Sequence, residues 1–100
     1  MAEKVKISSL AQKDLEDSSE WYEGENPGLG DRFAKVIYSA IISISKNAVA
    51  YPLRKANIRE FIVKKFPYVI VYQFIPEKNL VKILRIFHTS RNPKFKYKRK

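Results

Sequence analysis

The sequence predicts an α+β domain in which an N-terminal helical hairpin packs on a small antiparallel sheet, in the order β-α-α-β-β-β. Apolar residues recur at helical intervals in the first half, whereas short runs rich in Ile, Val, Phe and Tyr fill the second half. With 100 residues, 45% of them hydrophobic, the chain can build one core. We therefore predict a single domain over residues 1–93 and a basic tail over residues 94–100.

The first two elements are predicted to be a strand and a helix. Polar and apolar residues alternate over residues 4–8, which is typical of a strand with one buried face. Ser9 and Gln12 have the spacing of a capping box, so the helix is expected to begin there. It is expected to end near Glu25, because the residue before Pro27 disfavours helical geometry.

Each helix of the hairpin carries an apolar face. In the first helix this face consists of Leu10, Ala11, Leu15, Ser18, Trp21 and Tyr22. The acidic side chains of the same helix, among them Asp14, are interpreted as a solvated surface. A turn at residues 27–30 leads into the second helix, whose stripe contains Leu29, Phe33, Val36, Ile37, Ala40, Ile41 and Ile44.

Three strands are predicted in the second half, over residues 58–63, 69–75 and 80–87. Their short connections indicate an antiparallel meander. Strict alternation divides the apolar residues of the last strand between two faces: Leu80, Leu84 and Ile86 on one, Val81, Ile83 and Phe87 on the other. Because both faces are apolar, this strand is expected in the interior of the sheet.

Charge is distributed unevenly along the chain. Residues 1–50 contain 6 Lys or Arg and 8 Asp or Glu, for a net charge of −2. Residues 51–100 contain 14 Lys or Arg and 2 Asp or Glu, for a net charge of +12. Such a field attracts polyanions. The expected partners are nucleic acid, a nucleoprotein particle or an acidic protein segment.

Composition also excludes several classes of protein. The chain has no cysteine, which rules out disulfides, zinc–thiolate sites and thiol catalysis. Its carboxylates and its single histidine show no metal-ligand spacing, and there is no glycine-rich phosphate loop. We therefore expect no metal and no cofactor. The N-terminus lacks the apolar core of a signal peptide and no apolar run could span a membrane, so a cytoplasmic protein is expected.

The residues around the end of the last strand could carry out phosphodiester chemistry. His88 is the only histidine and can act as general acid or base, while Arg91 could stabilise a charged intermediate. Phosphate could be bound and polarised by Arg59, Lys64, Lys65 and Arg85. Tyr68 or Tyr72 could stack on a base or assist proton transfer. This set could form a metal-independent ribonuclease site in which a 2′-hydroxyl attacks the neighbouring phosphate.

Structural interpretations of the same residues stay open. His88 could be a strand-end histidine bonded to backbone, the arginines a solvated face of the sheet, and Tyr72 a core residue. In the tail, Lys94, Lys96 and Lys98 alternate with Phe95 and Tyr97. This pattern suits a surface for single-stranded nucleic acid, and equally a terminus whose lysines only aid solubility.

The chain resembles the RelE/ParE superfamily of bacterial type II toxins, especially the plasmid-stabilisation group. The resemblance extends from Lys4 to about Pro93. It rests on these segments: Ala11-x-x-Asp14-Leu15, Trp21-Tyr22, Pro27-Gly28-Leu29-Gly30-Asp31-Arg32-Phe33, Arg59, Lys64-Lys65-Phe66-Pro67-Tyr68-Val69-Ile70-Val71-Tyr72 and Ile86-Phe87-His88-Thr89-Ser90-Arg91-Asn92-Pro93.

The resemblance implies a toxin that is neutralised by a cognate antitoxin, with two alternative targets. The first expectation is a RelE-like toxin that cuts mRNA on the ribosome, and only Arg59, His88 and Arg91 fall where such an active residue would lie. ParE-like members inhibit DNA gyrase by protein contact and are not nucleases. A third alternative is an inactive binding module of the same fold.

Overall fold

The structure is a computed structural model that describes residues 4–89. Its elements are β1 (Lys4–Ile7), α1 (Ser9–Glu25), α2 (Leu29–Lys46), β2 (Leu53–Lys55), β3 (Ile58–Val63), β4 (Tyr68–Ile75), a 3-10 turn (Pro76–Lys78) and β5 (Leu80–His88). The predicted α+β class and the order of the predicted elements are confirmed. The short strand β2 is an addition that the sequence pattern did not indicate.

All five strands form one sheet in the order β1-β5-β4-β3-β2. The strands β2 to β5 pair antiparallel, as the predicted meander requires. Strand β1 pairs parallel to β5. The helical hairpin carries the chain from β1 at one edge of the sheet to β2 at the other edge. The sheet is therefore mixed. Strand β5 lies between β1 and β4, which confirms its predicted interior position.

Helix α1 begins one residue earlier than its capping pattern indicated. Ser8, not Ser9, is the N-cap, and its hydroxyl accepts a hydrogen bond of 3.0 Å from the Ala11 amide. The same hydroxyl donates to the Leu84 carbonyl at 2.9 Å, which ties the helix to β5. The helix ends at Glu25, as predicted. No candidate membrane span occurs among the helices of residues 4–89.

The turn between the helices depends on two glycines and one carboxylate. Gly28 has a φ of 89°, in the left-handed region that favours glycine. The Glu23 carboxylate accepts hydrogen bonds from the Gly28 and Gly30 amides at 2.9 and 3.0 Å. A Cβ on Gly30 would collide with the Ser19 carbonyl oxygen, so only glycine permits this close approach of α2 to α1.

The core lies between the helical hairpin and one face of the sheet. On α2 the predicted stripe is buried at Phe33, Ile37, Ala40, Ile41 and Ile44. On α1 the buried stripe is narrower than predicted, and it contains Ala11, Leu15 and Tyr22. Leu10 and Trp21 remain 56% and 53% exposed. The predicted face was therefore too wide, because the sheet contacts only one side of α1.

A β-bulge changes which side chains of β5 share a face. The β4–β5 register shifts between Val71 and Tyr72, so Leu84 is an extra residue on β5. Ile86 consequently packs in the main core with Val81 and Ile83. Phe87 joins Leu84 in a second cluster around Val69 and Val71. The strict alternation predicted for β5 is wrong beyond the bulge.

Candidate functional site

Three adjacent strands bring part of the predicted site together at one end of the sheet. Val63 of β3 is paired with Tyr68 of β4, and Tyr68 is paired with His88 of β5. Lys64 and Lys65 lie in the turn between β3 and β4, beside these pairs. The Thr89 amide donates to the Pro67 carbonyl at 2.7 Å, which holds the end of β5 against that turn. We call Lys64, Lys65, Tyr68 and His88 the sheet-end cluster.

The turn is anchored by an aromatic side chain, which leaves its lysines on the surface. The Phe66 ring packs against Tyr22 and Phe33, with centroid distances of 5.0 and 5.2 Å. The Tyr68 amide donates to the Phe66 carbonyl at 2.7 Å, which closes the chain tightly around Pro67. Both lysines are exposed. In residues 64–68 the packed Phe66 ring and the tight turn at Pro67 thus fix the backbone, and the two lysines are left exposed to solvent.

His88 is neither fully buried nor fully exposed. Its ring stands edge-on to Tyr68, with a centroid distance of 5.3 Å and an interplanar angle of 79°. Tyr68 is in turn fixed to α1, because its hydroxyl donates to the Ser18 hydroxyl at 3.0 Å. The imidazole is therefore held against a buried aromatic ring at the same end of the sheet as Lys64 and Lys65.

The two tyrosines proposed for base stacking belong to the core. Tyr68 is 1% exposed and Tyr72 is 0% exposed, so neither presents a ring face to solvent. The Tyr72 hydroxyl donates to the Ala48 carbonyl at 2.6 Å. Burial raises the pKa of Tyr72 to about 12, although the nearby Arg59 opposes the shift. Tyr72 is therefore a protonated structural donor, and the structure leaves neither ring face accessible for the predicted base stacking.

Arg59 lies away from the sheet-end cluster. It is paired with Tyr72, four residues before Val63 on β3, which corresponds to about 13 Å along the strand. Its Nη1 donates to the Val49 and Tyr51 carbonyls at 3.2 and 2.8 Å. The structure thus places this predicted catalytic residue under the loop after α2, and it does not bring Arg59 and His88 together.

Arg85 is engaged by a carboxylate of α1. Its Nε and Nη2 donate to Asp14 Oδ2 and Oδ1 at 2.8 and 2.9 Å, and the Ile86 amide donates to Asp14 Oδ2 at 2.9 Å. The hydrogen bond with Asp14 raises the pKa of Arg85 above its usual value. The guanidinium also lies 4.6 Å from the centre of the Phe87 ring. Arg85 and Asp14 therefore cover the part of the β5 edge that extends past its pairing with β1.

Sequence reasoning missed both of the carboxylates that hold arginines of the sheet. Asp14 was assigned to a solvated surface, yet it binds Arg85 and the β5 backbone. Glu60 is 4% exposed, and it accepts a hydrogen bond of 3.3 Å from Arg54 Nε. Asp14 lies 71 residues from Arg85, so no local pattern could reveal that pair.

Two further groups of predicted residues have different outcomes. Arg91, Lys94, Lys96 and Lys98 lie outside the described residues, so their roles stay predictions. Trp21, which was expected in the core, is exposed on α1 and packs edge-on against Tyr22 with a centroid distance of 5.1 Å. Within residues 4–89, no group of three or more His, Cys, Asp or Glu side chains is placed to hold a metal ion.

The sequence matches a known protein family. Residues 5–93 match the family model described as "ParE toxin of type II toxin-antitoxin system, parDE". The matched region covers every helix and nearly the whole sheet, together with the sheet-end cluster. No curated protein matches the sequence as a relative.

Several solved structures share the fold. A chromosomal ParDE toxin–antitoxin system from P. aeruginosa is 17% identical with a TM-score of 0.75, covering 85% of this chain and 94% of that chain. The intact RelBE toxin–antitoxin complex from E. coli is 18% identical with a TM-score of 0.68, covering 90% and 100%. A toxin–antitoxin complex from Mycobacterium tuberculosis is 22% identical with a TM-score of 0.62, covering 88% and 92%. At these identities the likeness concerns the fold.

Proposed function

This chain belongs to the family of ParE toxins of type II toxin–antitoxin systems, and we propose that it arrests growth by protein contact with DNA gyrase. The predicted membership of the RelE/ParE superfamily is confirmed by the family match over residues 5–93. The choice of target is our inference. It rests on how the sheet uses its arginines.

Each arginine of the described sheet is engaged within the fold, and this observation carries the proposal. Arg54 is bound to Glu60, Arg59 to two loop carbonyls and Arg85 to Asp14. Arginines that face a phosphate can stabilise the charge that develops on it during RNA cleavage. Here the corresponding donors stabilise loops and strand edges. This use of arginine supports a protein that acts by binding.

The sheet-end cluster and the neighbouring part of α1 offer a surface suited to protein contact. Lys64 and Lys65 supply exposed cations, and Trp21 supplies an exposed aromatic ring that packs on Tyr22. Tyr22 lies 6.3 Å from Tyr68, centre to centre, so the aromatic residues are continuous beneath this surface. Tryptophan contributes strongly to protein interfaces when a partner covers it. The cations would steer the toxin toward an anionic gyrase–DNA complex.

A second candidate function is ribosome-dependent mRNA cleavage, which the meeting of Lys64, Lys65 and His88 favours. Two exposed cations next to an imidazole could hold a phosphate and move a proton. In this alternative His88 is the general acid or base and the lysines bind the scissile phosphate. Arg59 would not take part, because it lies at the other end of the sheet. Either target would place the activity in the cytoplasm.

We also propose an antitoxin as the physiological partner. The neighbours from P. aeruginosa, E. coli and M. tuberculosis are described as a toxin–antitoxin system or complexes. A cationic toxin suits an acidic antitoxin segment that folds as it binds. Coexpression with the open reading frame adjacent to the gene is then expected to restore growth.

Induction in a bacterial host separates the two targets. Plasmid supercoiling and the integrity of mRNA are measured in the same culture after induction. The proposal predicts growth arrest with altered supercoiling and intact mRNA. The variant Lys64→Glu/Lys65→Glu is expected to lose both effects. A matched variant, Lys46→Glu/Lys78→Glu, makes the same change in net charge near the other end of the sheet and is expected to stay toxic.

Two outcomes would replace the proposal. Cleaved mRNA with unchanged supercoiling, abolished by His88→Ala, would establish the nuclease alternative. Normal growth with full expression of a folded protein would indicate an inactive binding module of the same fold. If both charge-reversed variants lose toxicity equally, net charge and not the sheet-end cluster governs the effect.

A further inference from the structure

Apolar side chains are buried on the face of the sheet that is turned away from the helices, here called the far face. Alternate residues of β4 pack in the main core, so Val69 and Val71 point to the far face. Val69 is 4% exposed, Val71 is 2% exposed and Phe87 is 8% exposed. Ile58 and Leu84 pack against them. We call these five residues the far-face cluster.

Within residues 4–89, no helix covers the far-face cluster. Its members all lie on strands, and the buried residues of both helices belong to the main core on the opposite face. Neighbouring strands shield a side chain only from its flanks, so an open sheet face stays accessible to water. The near-complete burial of Val69 and Val71 instead indicates a second layer. That layer must come from chain outside residues 4–89.

A buried carboxylate lies on the same face. Glu60 of β3 is paired with Val71 of β4, and it is 4% exposed. Arg54 Nε donates to Glu60 Oε1 at 3.3 Å, although the Arg54 side chain is 48% exposed. Burial of a carboxylate is costly unless cations or hydrogen-bond donors surround it. The layer that covers Glu60 is therefore expected to be cationic.

Residues 1–3 are too few to supply this layer. Lys4 is paired with Leu80 at the start of β5, whereas Phe87 lies near its end. The distance between these two positions along the strand is about 20 Å. Three residues span at most about 10 Å even when fully extended. They cannot reach from Lys4 to the far-face cluster.

Residues 90–100 have the position, the length and the composition that the layer requires. They follow the end of β5, close to Phe87 in sequence. When extended they span about 36 Å, and β3 lies two strand spacings, about 10 Å, from β5. They contain six Lys or Arg and no Asp or Glu. Their aromatic residues, Phe95 and Tyr97, are two positions apart, so an extended backbone points both rings to one side.

We propose that residues 90–100 cross the far face of the sheet and cover the far-face cluster. Phe95 and Tyr97 pack on the cluster, and a cation of the segment approaches Glu60. The lysines that alternate with the two rings then point to solvent. The basic tail is thus a layer of the fold and not an independent arm for nucleic acid. This assignment does not depend on whether gyrase or mRNA is the target.

Two other occupants fit the far face less well. A nucleic acid would place phosphates over an apolar cluster and beside the Glu60 carboxylate, which repels them. A second copy of this chain would bring a formal charge of +10 against a chain of the same charge, which opposes association. A cationic segment with two aromatic residues suits both the apolar cluster and the carboxylate.

A spin label on the tail of the full-length protein tests the proposal. The chain has no cysteine, so Lys98→Cys provides a single attachment point for a nitroxide. Methyl resonances of the isotope-labelled protein are compared with the nitroxide oxidised and reduced. The methyl signals of Val69 and Val71 are expected to be lost in the oxidised sample. Those of Leu10 and Ile42, which are exposed on the helices, are expected to be largely retained.

A second variant tests whether the aromatic residues hold the tail in place. Phe95→Ser/Tyr97→Ser, made in the spin-labelled protein, is expected to restore the far-face signals. It is also expected to lower the urea midpoint of unfolding, because the far-face cluster is then uncovered. Lys94→Ser/Lys96→Ser is the matched control, which keeps both rings and is expected to keep the loss of signal.

Three results would overturn the proposal. Retained signals at Val69 and Val71, or equal loss on the two faces, would show that the tail does not lie over the far face. Unchanged loss in Phe95→Ser/Tyr97→Ser would remove the aromatic contact. A mixture of spin-labelled chain with isotope-labelled chain that lacks the nitroxide would assign the site to a second copy if its far-face signals are lost. None of these measurements requires toxicity, so they stand apart from a failure of the proposed function.

Discussion

The two ends of the sheet use the same kind of residue for different purposes. At the Arg59 end, the guanidinium donates to carbonyls of the loop after α2, and the neighbouring Tyr72 hydroxyl donates to Ala48. At the sheet-end cluster, Lys64 and Lys65 are exposed on a turn that Phe66 anchors. Cations at the first end stabilise the fold, whereas those at the second are available to a partner. Position in the sheet, and not residue type, distinguishes the two roles.

The difference follows from what surrounds each cation. Arg59 is on the sheet face that packs against the helices, where it donates to backbone carbonyls of the loop after α2. The lysines follow the last paired residue of β3, so their side chains need no internal partner.

Removal of the buried Phe33 ring should have the largest effect on the free energy of unfolding. Phe33 is 0% exposed and contacts the Tyr22, Phe66 and Tyr68 rings. Phe33→Ala is expected to lower the free energy of unfolding by about 3–5 kcal/mol. Urea denaturation followed by fluorescence of Trp21, the only tryptophan, measures the change. Phe74→Ala, at a half-buried ring near the other end of the sheet, should cost clearly less, and an equal cost would contradict the contrast.

Loss of the α1 carboxylate that binds β5 should have the next largest effect on stability. Asp14→Ala removes two hydrogen bonds from Arg85 and one from the Ile86 amide, and is expected to cost about 2–3 kcal/mol. Asp17→Ala is the control, since its pair with Lys13 is exposed and should contribute less than about 0.5 kcal/mol. Similar losses in the two variants would show that Asp14 also belongs to a solvated surface.

Alkaline pH should weaken the Arg59 end specifically. Because the pKa of Tyr72 is raised to about 12, the folded state keeps a proton that the unfolded chain releases near pH 10. The contribution is complete below pH 10 and is lost as the pH rises toward 12, at most about 2–3 kcal/mol. Tyr72→Phe should lack this part of the decline. The free energy of unfolding of both proteins is measured by denaturation at several pH values in this range. If it declines with pH equally in both, the assignment to Tyr72 is refuted.

Replacement of Arg59 should have the smallest effect of these. Arg59→Lys keeps the charge but cannot reproduce the arrangement of a guanidinium that bonds two carbonyls, so a loss of about 1 kcal/mol is expected. Thermal unfolding measures this loss, with Lys64→Arg as the control at the other end of the sheet. A catalytic role for Arg59 would instead predict an unchanged melting temperature together with lost toxicity.

Local patterns were sufficient to predict most of the fold. Helical spacing located α1 and α2, and runs of β-branched and aromatic residues located β3, β4 and β5. The bulge at Leu84 was not predictable, since it depends on pairing with β4 and leaves no local signature. Strand β2 was missed because three exposed residues show no periodicity.

The candidate site was predictable only for residues whose proximity follows from the order of neighbouring strands. Lys64, Lys65 and His88 lie at the same end of the sheet because a meander places consecutive strands side by side. The partner of Arg85 could not be inferred, because Asp14 precedes it by 71 residues and reaches it through tertiary packing. The same holds for Tyr72, whose hydroxyl bonds a carbonyl beyond the end of α2. Residue type indicated possible chemistry, and the fold determined which side chains are accessible.

We propose that this toxin acts by contact with gyrase through the sheet-end cluster. A supercoiling assay with purified gyrase, relaxed plasmid and this protein, without ribosomes, tests it most directly. The account predicts that the unsubstituted chain and Lys46→Glu/Lys78→Glu inhibit supercoiling, while Lys64→Glu/Lys65→Glu does not. Full gyrase activity at saturating amounts of the folded, growth-arresting protein would contradict the account.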